Sequence, residues 1–493
     1  MNNFMKNTNI RQNILRGFAY IYLFLPILIF FIGWIKPLIA VPLCLVICFC
    51  IFRMIQKPKD IWLPAFNKEL FFQLLPIIII LILWVYFSGI GGFVFQNKDH
   101  WWRNETFNLL VQEDWPVIVK MNMKGTIQPR ALIYYIGFWL PSAVVGKLFG
   151  LSAGYAFQAL WAVFGLFIIY YLISEHLGSF SIKSLLCFIF FSGLDIIGCF
   201  LLQIDLSQFE HFLHIEWWSG FEFSSNTTQL FWVFNQSIYA WLLTLLILRQ
   251  KDNRHLIFLW SCGLLECTLP FVGMLPFLVY KILDNTFHSH IGVTNSKFSF
   301  LKFDHLFSIE NILGGGCIGI ISFLYEIGNV SANNHTADVA WTKGYLMLYI
   351  LFLLLEVGLY AFVIYPLQKE NMLYWISLIT LAVCPVLHIG SGQDFCLKAS
   401  IPALFVLMLL LMDTWKTARK QGNHCLVIAI TLLLLCGSVT PCGEFIRTFR
   451  NTNMLYHSNQ PIMAQPVAID EIMCYPNFSG NADKSFFFKY LAK

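Results

Sequence analysis

Gln96-Asn97-Lys98-Asp99-His100-Trp101-Trp102-Arg103-Asn104 opens a polar stretch that runs to Arg130 between two hydrophobic runs. The flanking chain is strongly apolar. Of 493 residues, 58% are hydrophobic and only 12% are charged, against roughly 45–50% and 25% in an average soluble domain. Several runs, such as Phe18 to Trp34, Leu74 to Phe95 and Gly344 to Pro366, reach or approach the roughly 17–25 residues that a membrane-crossing helix needs. The hydrophobicity is continuous rather than alternating, which excludes a transmembrane barrel. The expected fold is therefore all-α: a polytopic integral membrane protein of about 13 transmembrane helices, with helices lying on its outer face. In such a chain a loop as polar and as rich in Trp as 96–130 is expected to do chemistry.

Orientation follows from the basic residues, which collect in cytoplasmic loops. Lys6, Arg11 and Arg16 precede the first apolar run and put the N-terminus inside. No small-residue cleavage site follows that run, so it reads as a retained anchor. Spans near 17–35 and 38–55 form a hairpin with Lys36-Pro37 at its outer tip, and a third span near 72–95 leads to an external 96–130 loop. The segment 131–148 is apolar enough to cross. A crossing there would put Arg249, Lys251, Arg254, Lys416, Arg419 and Lys420 outside, against the charge rule. It is therefore read as an interfacial helix, with Tyr134, Tyr135 and Trp139 in the headgroup region. Ten further spans follow between 155 and 441. The chain divides into an N-terminal hairpin and inner loop (1–71), a transmembrane domain with external loops (72–441) and a short external tail (442–493).

The net charge of +5 is spread over short loops and does not point to nucleic acid. The 14 cysteines contain no CxxC pair and lie mostly in apolar runs, where Cys behaves as a small hydrophobe. Cys442 and Cys474 are the pair that could meet outside the membrane. Sequons, such as those at Asn104 and Asn334, are expected by chance in a chain rich in Asn, Ser and Thr and carry no glycosylation assignment.

Three external clusters could carry chemistry. Asp99 follows directly on a span, and a carboxylate there can take a proton from an acceptor. Burial by Trp101 and Trp102 would favour its neutral form, and Arg103 at i+4 would favour its charged form. The plain alternative is an Asp99–Arg103 helix pair and cap. Arg103, Asn104 and Asn108 lie on or near the same helical face as Asp99, and His100 is a candidate phosphate or metal contact. The second cluster is Glu210, His211, His214, Glu216 and Glu222, followed by Gln229, Asn235 and Gln236. Glu210 and His214, four apart, could share a metal, so a divalent cation is a candidate cofactor and none is assigned; Glu210 and Glu216 are also candidate second acids. Gln229, Asn235 and Gln236 at the end of a span are costly unless they line a polar cavity, where they would hydrogen-bond a sugar. The third cluster is the glycine-bearing turn before Asp394 and Lys398. Lys398 at a helix start could hold a phosphate, or form only a capping pair with Asp394.

Taken together, these features resemble the GT-C superfamily of membrane glycosyltransferases. In that superfamily a span leads into a first external loop carrying an essential acid, and Asp99 stands at that place. The loop of the protein mannosyltransferases and aminoarabinose transferases ends in a helix and a turn similar to Lys147-Leu148-Phe149-Gly150. The resemblance implies transfer of a sugar from a polyprenyl-phosphate donor to a glycan, lipid or protein acceptor. It implies a site on the outer face of the bacterial cytoplasmic membrane. Three features depart from the pattern. His100 stands where a second adjacent acid is usual, a hairpin precedes the family's first span, and the large C-terminal soluble domain of the oligosaccharyltransferases is lacking. A polysaccharide polymerase or ligase, and a flippase or transporter of lipid-linked sugars using Asp195, Glu266 and Glu356, are the alternatives.

Overall fold

The computed structural model describes residues 2–56, 68–123, 125–205, 215–290, 305–329, 342–387 and 393–493. The chain is mostly helical, and eight of its described helices are long and apolar enough to cross a membrane. The first hairpin is α1 (Asn2–Trp34) and α2 (Pro37–Gln56), and α3 (Lys68–Phe87) leads to the polar stretch. Then come α4 (Asp99–Gln112), strands β1 (Ile118–Met123) and β2 (Thr126–Leu132), α5 (Leu140–Phe149) and α6 (Leu151–Leu177). The middle holds α7 (Ile182–Phe190), α8 (Asp195–Leu201), α9 (Asn226–Leu248), α10 (Leu256–Glu266), α11 (Thr268–Gly273), α12 (Leu275–His290) and α13 (Gly316–Glu326). The last third holds α14 (Lys343–Leu353), α15 (Leu359–Gln368), α16 (Met372–Val383), α17 (Asp394–Ala399), α18 (Ile401–Lys420), α19 (His424–Gly437) and α20 (Val439–His457), then α21 (Ile469–Cys474) and strand β3 (Ser479–Asn481).

Two central helices organise the packing. α9 is wholly buried and α18 nearly so. Burial on all sides matches the stretches 238–248 of α9 and 401–412 of α18, which are apolar nearly all round, whereas the first half of α9 buries polar side chains as well. Elsewhere the helices break, and each break is satisfied by a named partner. Between α7 and α8 the chain runs non-helical at 191–194. There Asn226 Nδ2 donates to Phe188 O, Thr227 Oγ1 to Ile189 O and Tyr360 Oη to Ser192 O. Backbone without helical bonds is tolerated at membrane depth only when protein covers it in this way. Segments expected as spans at 255–268 and 270–283 are broken, the first into the 11-residue α10 and the start of the six-residue α11, whereas 310–326 is helical throughout, a π-helical stretch at Glu310–Gly315 running directly into α13. At about 1.5 Å per residue neither α10 nor α11 crosses a bilayer core alone.

Several expectations are corrected. The all-α class itself holds, since the chain is mostly helical, but it did not include the small sheet in which β1 and β2 form an antiparallel hairpin and β3 adds a third strand. Residues 131–148 are not one interfacial helix; they are the end of β2, a short turn at Gly137–Trp139 and a ten-residue α5 whose first four residues are buried. Pro129 and Pro141 bracket a stretch whose β-branched and aromatic residues favour extended chain. Tyr134 and Trp139 do not face headgroups but are buried, with Tyr134 stacked between Tyr135 and Phe478. Nor is 442–493 a separate tail. Its first part continues α19 as the helix α20, and its last part pairs with β2, bridges Ile35 and caps the α1–α2 hairpin through Lys36 N to Leu491 O. Arg130 locks this closure by donating to Met473 O and Ser479 Oγ. All 14 cysteines are free; Cys474 contacts Met123 and does not pair with Cys442.

Basic residues gather at one end of the bundle. Arg249 pairs with Glu175, and Lys416 bonds Leu177 O, which brings the ends of α6, α9 and α18 together. The polar stretch, the C-terminal segment and the start of α17 lie at the opposite end of the same helices.

Candidate functional site

The site is built where α4 meets a kink in α9. The α9 backbone leaves the helical region at Val233, with φ −137° and ψ 34°. A kink frees carbonyls that must find other donors. Asn97 supplies one, donating Nδ2 to Phe231 O at 2.9 Å, while its Oδ1 accepts the Asp99 backbone N–H at 3.1 Å. Ser237 Oγ donates to Gln229 O at 3.2 Å. Gln96 completes the joint: it donates to Gly89 O and accepts from Asn104 Nδ2 and Ala464 N. Polar residues of the 96–104 stretch thus fix the start of α4 against α9 and the C-terminal segment.

On this frame two cations face inward. Arg103 Nη2 binds Asp99 Oδ2 at 3.0 Å, and Lys398 Nζ binds Asp394 Oδ1 at 3.1 Å. The two i,i+4 pairs have the same asymmetry: the Arg103 and Lys398 side chains are 6% and 8% exposed, and their acids are 38% and 34% exposed. Lys398 also reaches Tyr135 Oη at 3.3 Å. Arg103 acts by charge on Lys398, Tyr134 and Tyr135, so the two pairs and the Tyr134–Tyr135 step belong to one locality. Burial pushes both phenols well above their usual range, which keeps them neutral donors. The Arg103 guanidinium lies 5.4 Å from the Phe234 ring centre, and its Nε and Nη1 have no hydrogen-bond partner. A buried guanidinium with two unused donors is suited to a planar or tetrahedral anion.

His100 stacks on Phe234 at 5.5 Å and is 1% exposed. Burial, reinforced by the nearby Arg103 charge, pushes its pKa down to about 3. The imidazole is therefore neutral near pH 7 and offers no charge to a phosphate. Asn104 is a strut to Gln96 and Ala464 O rather than a partner of Asp99. Trp102 stacks on Phe478 and Tyr475 and Trp101 is 43% exposed, so neither forms the expected burying wall around Asp99.

The second expected cluster is split. Glu210, His211 and His214 lie outside the described residues. Glu216 is fully buried and accepts from Ser225 N and Thr228 Oγ1, both at 2.8 Å. Those bonds fasten the start of α9, which is anchoring and not the role of a second acid. Gln229 Nε2 is held by Ser224 O, while Asn235 and Gln236 are fully buried with no hydrogen-bond partner for their amide atoms. Among the described residues no group of three or more His, Cys, Asp or Glu could hold a metal ion.

Sequence reasoning missed a neighbouring ensemble beside Asp99. Lys98 lies over the Trp217 ring, Trp217 donates to Glu222, and Trp232 donates to Glu444, which pairs with Arg447. Trp217, beside Glu216 and Trp218 and close to Glu222, was available as a signal. Trp232 was not, because its partners in α20, Glu444 and Arg447, are more than 200 positions away. No family model matches the chain, and no curated protein or solved structure matches it.

Proposed function

We propose that this chain is a membrane glycosyltransferase of GT-C type that moves a sugar from a polyprenyl-phosphate donor to an acceptor at the membrane surface. The observation that carries the reading is the buried pair Arg103 and Lys398, each tied to a half-exposed acid, with guanidinium donors left over. A lipid phosphate offers the complementary anion, and its tail would lie between spans. In the reaction an acceptor hydroxyl or amine attacks the anomeric carbon and Asp99 takes its proton. The bond from that carbon to the phosphate oxygen breaks, and the charge left on the lipid phosphate is held by Arg103 and Lys398. A single in-line displacement inverts the anomeric centre. Asp99 binds Arg103 through one oxygen and remains accessible, as a general base must be. The outer placement of the site belongs to the same proposal. Gathering of Arg249 and Lys416 at the far end of the bundle supports that orientation.

The test is transfer from radiolabelled polyprenyl-phosphate sugars by purified protein in liposomes, with donor binding measured separately. Neither binding nor transfer across a panel of such donors would overturn the reading. External labelling of cysteines introduced at Lys120 but not at Arg254 tests the orientation.

A further inference from the structure

A second polar locality lies deeper, where α10 breaks. Glu266 is the last residue of α10; Cys267 follows outside the helical region at φ −153° and ψ 67°, and α11 starts at Thr268. Glu266 is fully buried, and neither of its oxygens has a hydrogen-bond partner. No Lys, Arg or His pairs with it among the described residues. Gly137 packs directly against it, since a Cβ there would stand 2.8 Å from Glu266 Cγ. Replacing Gly137 with any larger residue would therefore crowd the carboxyl.

The groups facing Glu266 carry oxygen and no positive charge. From α1 comes Tyr22 and from α9 Tyr239, whose rings are 5.2 Å apart and on both of which Glu266 acts by charge. Its own segment contributes Cys262 and Cys267. Asn235 is one turn from Tyr239 on the same face of α9, and both Asn235 and the adjacent Gln236 hold buried amides without partners. A carboxylate in this position also faces the negative end of its own helix. Its charge must therefore be balanced from solution. Carboxylate, amide and phenol oxygens are hard donors that suit a small cation, and broken helix C-termini are used in membranes to hold such ions.

We infer that Glu266 anchors an internal site for a small monovalent metal cation, a sodium ion, at the break between α10 and α11. The site is independent of glycosyl transfer, since none of its members touches Arg103 or Lys398.

The experiment measures the melting temperature of the purified chain in nanodiscs, with sodium chloride against choline chloride at equal ionic strength, across a pH series. The expected result for a sodium site is a saturable rise in melting temperature with sodium that Glu266→Gln abolishes. Binding of radioactive sodium to the unaltered protein, at one ion per chain, supports the site even if the variant fails to fold. The inference is overturned if the unaltered protein does not respond to sodium, or if Glu266→Gln responds to sodium as the unaltered protein does; a pH slope in choline that Glu266→Gln removes, without any response to sodium, shows only a protonated carboxyl and overturns it too.

Discussion

Arg103 with Lys398 and Asp195 with Glu356 are two pairs of like charge buried in one bundle, and they differ in how much bonding capacity remains. Around the acids the chain supplies its own donors. Asp195 Oδ2 accepts from Ser192 Oγ at 3.1 Å and Thr440 Oγ1 at 2.7 Å, Glu356 Oε1 accepts from Trp218 Nε1 at 3.2 Å, and the two carboxyls bond each other. Those bonds join α8, the segment after α14 and α20, so the acids are joints of the fold. Around the cations the partners are two half-exposed acids and one phenol, and the guanidinium keeps donors unused. Burying a charge is costly, and a pair largely bonded within the chain, here with Glu356 Oε2 alone left without a partner, repays part of that cost through structure. A pair left short of acceptors fits a ligand that brings its own.

The largest expected effect concerns the accessible acid. Asp99→Asn keeps the shape and removes the base, so sugar transfer by purified protein should fall about 100–10,000-fold with donor binding largely kept. Near-normal turnover would make the Asp99–Arg103 pair a helix brace and move the base elsewhere. Next comes Lys398→Ala, which removes a charge-assisted bond worth about 1.5–3 kcal/mol. Donor affinity should weaken by about 10–100-fold, more than turnover of bound donor does; unchanged affinity would reduce Lys398 to a partner of Asp394.

The acid pair predicts the opposite pattern. Thr440→Val removes a donor to Asp195 and should cost about 1–3 kcal/mol of stability, read from denaturant titration in detergent, with transfer per folded molecule unchanged. A loss of transfer without loss of stability would make Asp195 part of the chemistry and collapse the contrast. The smallest effect is a pH slope. The His100 pKa is lowered in the folded protein from 6.5 to about 3. The unfolded chain therefore binds the proton more readily, and stability is lost as pH falls from about 6.5 towards 3. His100→Gln should remove that part of the slope between pH 4 and 7, and an identical slope in both proteins would place His100 in a more hydrated setting.

How far the sequence can be read differs by distance along the chain. The hairpin at Lys36-Pro37, the Asp99–Arg103 and Asp394–Lys398 pairs and the helix stop at Gly150, where φ is +92°, are local, and i,i+4 spacing or a single glycine is enough to reveal them. Tyr134, Tyr135 and Trp139 were misread as membrane anchors because an aromatic beside an apolar run looks the same whether lipid or protein covers it. Phe478 and Phe234, which do cover them, come from remote segments. The 442–493 segment was read as a free tail for a similar reason, since a three-residue strand such as β3 has no pattern of its own until β2 is beside it.

Composition and charge placement by themselves determined that the chain is a helical membrane protein and that its basic residues favour one end, because the bilayer acts on hydrophobicity and charge residue by residue. Only tertiary structure decided that Arg103 and Lys398 share a locality, that Glu216 fastens a helix while Asp99 stays accessible, and that Glu266 is left without a partner. Each of those facts depends on which side chains arrive beside the group, from 9 and 12 positions away at Glu216 to nearly 300 between Arg103 and Lys398, and burial and unused bonding capacity are properties of that arrival rather than of the residue.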